Sequence, residues 1–236
     1  LAQGGFVKAA KFLHQHKLFN HRDIPYRTQL VPLAAALAAL DHDAQTDSAK
    51  QKLARWYWCG VMGELYGSTT ETRFARDVPE LIAWIKDATG EPSTIVEANF
   101  AASRLMTLRT RNSAAYKGVY ALLMRSGCLD WRSGDTVEVQ SYFDEQMDIH
   151  HIFPQRWCED HRIPRERYDS IVNKTALSAR TNRIVGGRAP SAYLKALQGS
   201  ARINQARMDE LLKSHEVVPR ALRTDDFEGF FRHRTD

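Results

Sequence analysis

The chain has 236 residues, 43% of them hydrophobic and 26% charged, which is an ordinary globular composition and allows one large domain or two small ones. Its longest apolar-rich stretch, residues 30–40, is too short to cross a bilayer, and its three widely spaced cysteines form no C-x-x-C pair, which argues against a disulfide framework and a structural zinc site. The net charge of +5 does not by itself distinguish a nucleic-acid-binding surface from a solvated one.

The first part of the chain, residues 1–126, is predicted to be mostly helical. Apolar residues recur at spacings of three and four in three segments, residues 6–18, 31–40 and 49–66. The large apolar side chains of these segments are the expected core members: Phe12, Leu53, Trp56, Trp58 and Leu65.

Two further helices are predicted from signals at their ends. Residues 77–90 indicate a helix with Pro79 in its first turn and Gly90 just beyond its end. Another helix is expected to begin after Ser113, as its N-cap, and to stop at Gly127.

The pattern changes after Gly127 from helical to short β-prone segments. Alternation over residues 137–143 permits a short strand, and a β-prone stretch over 146–154 ends at Pro154. After a polar loop, residues 173–179 indicate another strand.

A helix or helical turn is expected to follow over residues 179–187, bent near its two final glycines, and another to start at Pro190. The order is therefore strand, long loop, strand, helix. We expect a helical region over residues 1–130 and a second region over 131–236 that ends in further helices.

Charge is unevenly distributed along the chain. Residues 100–126 hold five basic and no acidic residues, 127–150 hold one basic and six acidic, and 151–200 hold nine basic and four acidic. A positive surface that follows a phosphate backbone is the functional interpretation, and a solvated face with no partner is the alternative.

The histidine pair His150 and His151 is the most informative local feature. Adjacent residues in a strand point to opposite faces, so the two rings cannot easily bind one ion together, and the pair alone indicates little. The residues that come after the pair are more specific in their order: Pro154, a loop that ends at Asn173, and then Asn182.

These segments, D-I-H-H-I-F-P, V-N-K-T-A-L and T-N-R-I-V-G-G-R, resemble the HNH or ββα-metal motif. The chain is most similar to the C-terminal nuclease domain of GmrSD-type modification-dependent restriction proteins and related phosphorothioate-sensing defence proteins. R-W-Y-W-C-G-V-M-G-E-L-Y-G and R-L-M-T-L-R-T-R-N-S-A-A-Y-K-G also look like the helical shell of that family. The implied fold is mainly α, a helical bundle shell around a small embedded ββα-metal motif of one short β-hairpin and a helix.

The resemblance also implies roles for individual residues. His151 would be the general base, His150 and Asn182 metal ligands, and Asn173 the residue that ties the loop to the strand carrying the base. Asp148 would be an outer contact of the metal or a partner of its ligands. Asn182 occupies the position of the final histidine in the HNH motif. This difference is expected to affect metal affinity more than activity.

The expected chemistry is hydrolysis of a DNA phosphodiester. A neutral imidazole, with a pKa near ~6.5, suits proton abstraction from water, and one imidazole with one amide oxygen leaves most coordination positions of Mg²⁺ or Mn²⁺ to water and phosphate. The basic side chains that come after the motif could hold phosphates: Arg183, Arg188 and Lys195.

One metal and one base per site predict nicking, with little sequence preference because the chain has no recognisable base-reading motif. In the family, a ParB-like nucleotide-hydrolysing domain precedes the helical region. This chain shows neither that domain nor a signal segment, so we expect a piece of a longer cytoplasmic protein that acts in bacterial anti-phage restriction. The alternatives are a non-catalytic helical DNA-binding or regulatory module and an RNA nuclease.

Overall fold

The computed structural model describes residues 2–18, 21–22, 24–68, 70–87, 90–110, 112–137 and 147–236, without the side chains of Ala2, Asp87, Met147 and Asp148. The described part is mainly helical and contains one two-stranded antiparallel sheet. None of its helices is both long enough and apolar enough to span a membrane.

The chain divides into two compact units. One comprises Leu1–Phe100 and Arg111–Gly118, and the other comprises Ala101–Thr110 and Val119–Asp236. The division lies earlier than the boundary near residue 130 expected from the sequence, because the last predicted helix of the first region contributes to both units.

The first unit is built from helices. They are α1 (Ala2–Gln15), α2 (Leu30–Leu40), α3 (Asp47–Met62), α4 (Thr70–Asp87), α5 (Ser93–Glu97) and the first turn of α6 (Ala114–Arg125). The three periodic segments correspond to α1, α2 and α3, and the buried side chains include Phe12, Leu53, Trp56 and Trp58. Leu65 lies beyond the end of α3 and is only half-buried, so its assignment to the helical core was wrong.

The predicted start of α4 was wrong. The helix begins at Thr70, so Pro79 lies inside it rather than in its first turn. Its neighbour Asp77 is fully buried and accepts hydrogen bonds from the hydroxyl groups of Tyr66 and Thr94. Packing thus extends the helix across a proline that cannot donate a backbone hydrogen bond.

The second unit contains the sheet and a set of short helices. In chain order they are β1 (Met147–His151), α7 (Gln155–Asp160), α8 (Arg165–Tyr168), β2 (Lys174–Ser178), α9 (Ala179–Val185), α10 (Pro190–Ala201), α11 (Gln205–Lys213), α12 (Pro219–Arg223) and α13 (Phe227–Thr235). The strand predicted over residues 137–143 lies outside the described residues beyond Val137.

The strands pair in a register that places His150 opposite Thr175 and His151 opposite Lys174. The sheet, α9 and the C-terminal helices pack on one hydrophobic core. This core includes Phe153, Leu177, Val185, Tyr193 and Phe230. Gly186, with a φ of 52°, follows α9 in a conformation that favours glycine and ends the helix. The predicted order of strand, strand and helix is confirmed for residues 147–185, but the segment between the strands, predicted as a polar loop, contains the short helices α7 and α8.

Candidate functional site

The two histidines of β1 belong to different faces of the sheet. Residues directly opposite one another on paired strands share a face, so His150 lies on the face of Thr175 and His151 on the face of Lys174. Both histidines are half-buried. The two imidazoles therefore have different surroundings.

His151 lies beside the turn that follows α8. Its Nε2 is 3.5 Å from Oδ1 of Asp169, and its ring stands edge-on to Tyr168 at a centroid distance of 6.2 Å. A quarter of the side chain, 25%, remains exposed. Burial lowers the pKa of His151 below its usual value, and the Lys174 ammonium lowers it further, while the Asp169 carboxylate opposes both effects.

Asp169 and Lys174 form a close ion pair next to this imidazole. Lys174 Nζ donates to Oδ1 of Asp169 at 2.7 Å and to the carbonyl of Arg109 at 3.0 Å. Burial on its own raises the pKa of Asp169, but the hydrogen bond and charge of Lys174 outweigh it, and the pKa lies below its usual value. Asp169 is therefore a carboxylate at neutral pH.

Asn173 joins the end of the loop to the segment after β1. Its Oδ1 accepts from the Phe153 N–H at 2.8 Å, and its Nδ2 donates to the carbonyls of Phe153 and Tyr168, each at 2.9 Å. Its own carbonyl accepts from the Ile152 N–H at 2.9 Å. The side chain is fully buried, and it fixes both the exit of β1 and the turn that carries Asp169.

Asn182 lies on α9, which contacts both strands. Its side chain is half-buried. The first turn of α9 is capped by Ser178, whose hydroxyl accepts from the Thr181 N–H at 3.2 Å. The capped helix thus starts directly at the end of β2.

A buried carboxylate, Asp130, also holds the start of α9. Its Oδ2 accepts from the Ser178 N–H at 2.9 Å, and its Oδ1 accepts from the Thr181 hydroxyl at 2.7 Å. Backbone N–H groups of Arg132 and Ser133 complete its hydrogen bonds. Asp130 therefore connects the turn after α6 to the helix that carries Asn182.

On the other face of the sheet, Thr175 contacts a buried histidine. His215 Nε2 lies 2.7 Å from the Leu129 carbonyl, which can only accept, so Nε2 carries the proton and Nδ1 accepts from the Thr175 hydroxyl at 2.6 Å. Burial lowers the pKa of His215 to about 4. His215 is thus a neutral residue that connects β2 to the segment after α6.

The three basic residues predicted to contact phosphate are exposed. Arg183 lies on α9, Arg188 follows it, and Lys195 lies on α10. Among the described residues, no carboxylate lies within ion-pair distance of any of the three. Other arginines of this unit are ion-paired with carboxylates: Arg167 with Glu228, Arg207 with Glu210 and Arg223 with Asp209.

Few of the described side chains are placed to coordinate a metal ion. In the part of the chain that the structure describes, no group of three or more His, Cys, Asp or Glu residues is arranged to hold an ion. Asp148 lies on β1 opposite Leu177, but its side chain is outside the described residues. One imidazole and one amide oxygen, from His150 and Asn182, suit a weakly held ion whose other ligands are water and phosphate.

Sequence reasoning missed Asp169 and Asp130. Asp169 is one of four carboxylates between residues 151 and 200, and no sequence signal separates it from the other three. Asp130 lies far from Ser178 in sequence, so only the folded chain brings them together.

Comparison with known proteins gives one distant relative. An uncharacterized protein of Methanocaldococcus jannaschii is 28% identical over 179 residues, which cover 70% of this chain and 30% of that protein. The chain thus spans less than a third of the length of this relative, whose name states no activity. No family model and no solved structure matches the chain.

Proposed function

We propose that the chain is a metal-dependent endonuclease that hydrolyses phosphodiester bonds of DNA. The observation that carries this proposal is the order of side chains along one structural unit. His151 lies on β1, Asn173 ends the loop that packs against it, and Asn182 lies on the helix after β2. This is the order of base, loop tie and ligand in the HNH nucleases that the sequence resembles.

In this proposal each residue has one task. His151 takes the proton from the water that attacks phosphorus, the bond from phosphorus to the 3′ oxygen breaks, and that oxygen takes a proton from solvent. His150 and Asn182 would hold the divalent cation, Mg²⁺ or Mn²⁺, through the imidazole and the amide oxygen. When bound, the cation neutralises charge on the scissile phosphate.

The proposed substrate contact is electrostatic. Arg183, Arg188 and Lys195 present exposed positive charge on and after α9, which supports binding to a phosphate backbone without base recognition. We therefore propose nicking with little sequence preference.

The proposal extends to a biological setting, an anti-phage restriction system. The resemblance to modification-dependent restriction proteins supports it, and so does the greater length of the archaeal relative, which leaves room for other domains. Recognition of modified DNA would then belong to a ParB-like nucleotide-hydrolysing domain of a longer protein.

Supercoiled plasmid tests the activity. The wild type should convert it to open circles with Mg²⁺ or Mn²⁺, and a chelator should stop the reaction. Asn182→Ala should raise the Mn²⁺ concentration required for half-maximal nicking, whereas Asn204→Ala, which removes a helix cap elsewhere in the unit, should not. Plasmid that stays supercoiled in every divalent metal would contradict the proposal, and faster cleavage of RNA than of DNA would favour an RNA nuclease.

A further inference from the structure

We infer that Asp169 is a positioning residue for His151, holding the Nε2 edge of its ring so that Nδ1 is the nitrogen that takes the proton from water. This inference rests on the proposed function for the role of His151 as a base. Its geometric part, which concerns the orientation and tautomer of the ring, stands on contacts within the second unit.

The surroundings of Nε2 determine where the ring carries its proton. This atom is shielded from solvent and has no hydrogen-bond partner among the described residues, and Oδ1 of Asp169 lies 3.5 Å from it. An Nε2 lone pair would face a carboxylate oxygen, which is repulsive, whereas an Nε2–H points its positive end at that oxygen. The contact therefore favours the tautomer with the proton on Nε2.

The distance of 3.5 Å between Nε2 of His151 and Oδ1 of Asp169 is long for a hydrogen bond. Such contacts between a base and its orienting group are often long before substrate binds and shorten in the reactive complex. The Tyr168 ring, edge-on to the imidazole, restricts the ring from a second direction. His151 thus contacts two consecutive residues, Tyr168 and Asp169, at the end of α8.

The carboxylate itself is held in place. Lys174 Nζ donates to the same oxygen at 2.7 Å, and Lys174 is the strand residue directly opposite His151 in the sheet. Only 9% of the Lys174 side chain is exposed, so the pair is largely protected from solvent. The register of the two strands thus fixes Asp169 relative to the imidazole.

Asn173 connects this arrangement to the loop. Its Nδ2 donates to the carbonyl of Tyr168, the residue before Asp169, and to the carbonyl of Phe153, two residues after His151. One buried amide therefore links the strand that carries the base to the turn that carries its orienting carboxylate. As the loop tie, Asn173 therefore sets the distance from Asp169 to His151.

The tautomer is measurable without DNA or metal. Long-range ¹⁵N–¹H correlation spectra of the histidine side chains, assigned with His151→Ala, should show His151 protonated on Nε2 in the wild type above its pKa. Asp169→Ala/Lys174→Met, which leaves no lone charge beside the ring, should shift the population toward Nδ1–H. Lys174→Met alone should keep the wild-type tautomer. Protonation on Nδ1 in the wild type, or no change in the double variant, would overturn the inference.

Nicking rates test whether Asp169 acts through His151. The double variant Asp169→Ala/Lys174→Met should nick about 10- to 100-fold more slowly than Lys174→Met alone. When both variants also carry His151→Ala, their nicking rates should differ by less than about twofold. Asp160→Ala, an exposed carboxylate of the same loop, is the matched control. Equal losses in both backgrounds would show a merely structural role. If no variant nicks DNA, the proposed function fails, while the tautomer measurement still decides the positioning role.

Discussion

Asn173 shows how much geometry one buried side chain can determine. Its amide uses both donors and its acceptor on backbone groups of Phe153 and Tyr168, which lie on opposite sides of the loop. The amide accepts from one N–H and donates to two carbonyls, whereas a carboxylate has no donor and a hydroxyl has only one. The residue is therefore difficult to replace even before any chemistry is considered.

Asn173→Ala should destabilise the second unit. The substitution leaves the buried Phe153 N–H and the Tyr168 carbonyl without the Asn173 amide, and the Phe153 carbonyl keeps only the Cys158 thiol. Each full loss costs about 1 to 3 kcal/mol, so a decrease of roughly 2 kcal/mol or more in the free energy of unfolding is expected. Urea denaturation measures it. Asn204→Ala, which removes an exposed helix cap, should cost only about 1 kcal/mol. Equal effects of the two substitutions would contradict the assignment of Asn173 as the loop tie.

At the scale of elements, local patterns predicted α1, α2, α3 and α6 and the order of β1, β2 and α9. Periodicity and end signals are local properties, so the sequence carries them directly. The start of α4 was missed because packing around Asp77 extends the helix past Pro79.

The sequence predicted those side chains of the candidate site that belong to a local motif. The histidines of β1 and the two asparagines come one after another in a recognisable order. Asp169 was missed because its contact with His151 depends on the register of β1 with β2. Asp130 was missed because its partners on α9 are distant in sequence.

Acid should weaken the connection between β2 and the segment after α6. His215 has a pKa of about 4 in the folded chain and an ordinary value near ~6.5 when unfolded, so between these values the unfolded chain binds more protons. The stability that comes from neutral His215 is complete above about pH 6.5 and is lost as the pH falls toward 4, by about 3 kcal/mol.

Unfolding in urea between pH 7 and pH 4 measures this loss. His215→Gln, which keeps a donor for the Leu129 carbonyl and an acceptor for the Thr175 hydroxyl, should show a shallower decrease of stability than the wild type. His161→Gln, at an exposed position of the loop, should retain the wild-type pH dependence. Identical curves for the wild type and His215→Gln would contradict the assignment of His215 as the titrating group.

At the scale of the whole molecule, charge is balanced in some segments and unbalanced in others. Residues 201–236 hold seven basic and seven acidic residues, whereas residues 151–200 hold nine and four. Residues 151–200, which carry the loop, β2 and α9, are therefore one of two positively charged segments, the other being residues 100–126. Counterion release from DNA makes such a surface measurable through salt dependence.

Removing Arg183, Arg188 and Lys195 together should lower the affinity for duplex DNA and reduce the slope of log K against log salt by roughly 3, about 0.9 for each lost phosphate contact. Fluorescence anisotropy at several salt concentrations, with a chelator present, measures both. The control removes three exposed arginines of the balanced C-terminal segment, Arg207, Arg220 and Arg232. A slope that falls equally in both triple variants would show that the first three do not form the DNA-binding surface.

His151 is the proposed base of a DNA-cutting site, and the rate of plasmid nicking with saturating Mn²⁺ tests this role most directly. His151→Ala should lower the rate by about 10²- to 10⁴-fold, since that is the usual contribution of a general base. His161→Ala, a histidine of the adjoining loop that stacks on Trp157, should nick at the wild-type rate. Nicking by His151→Ala at the wild-type rate would contradict the claim.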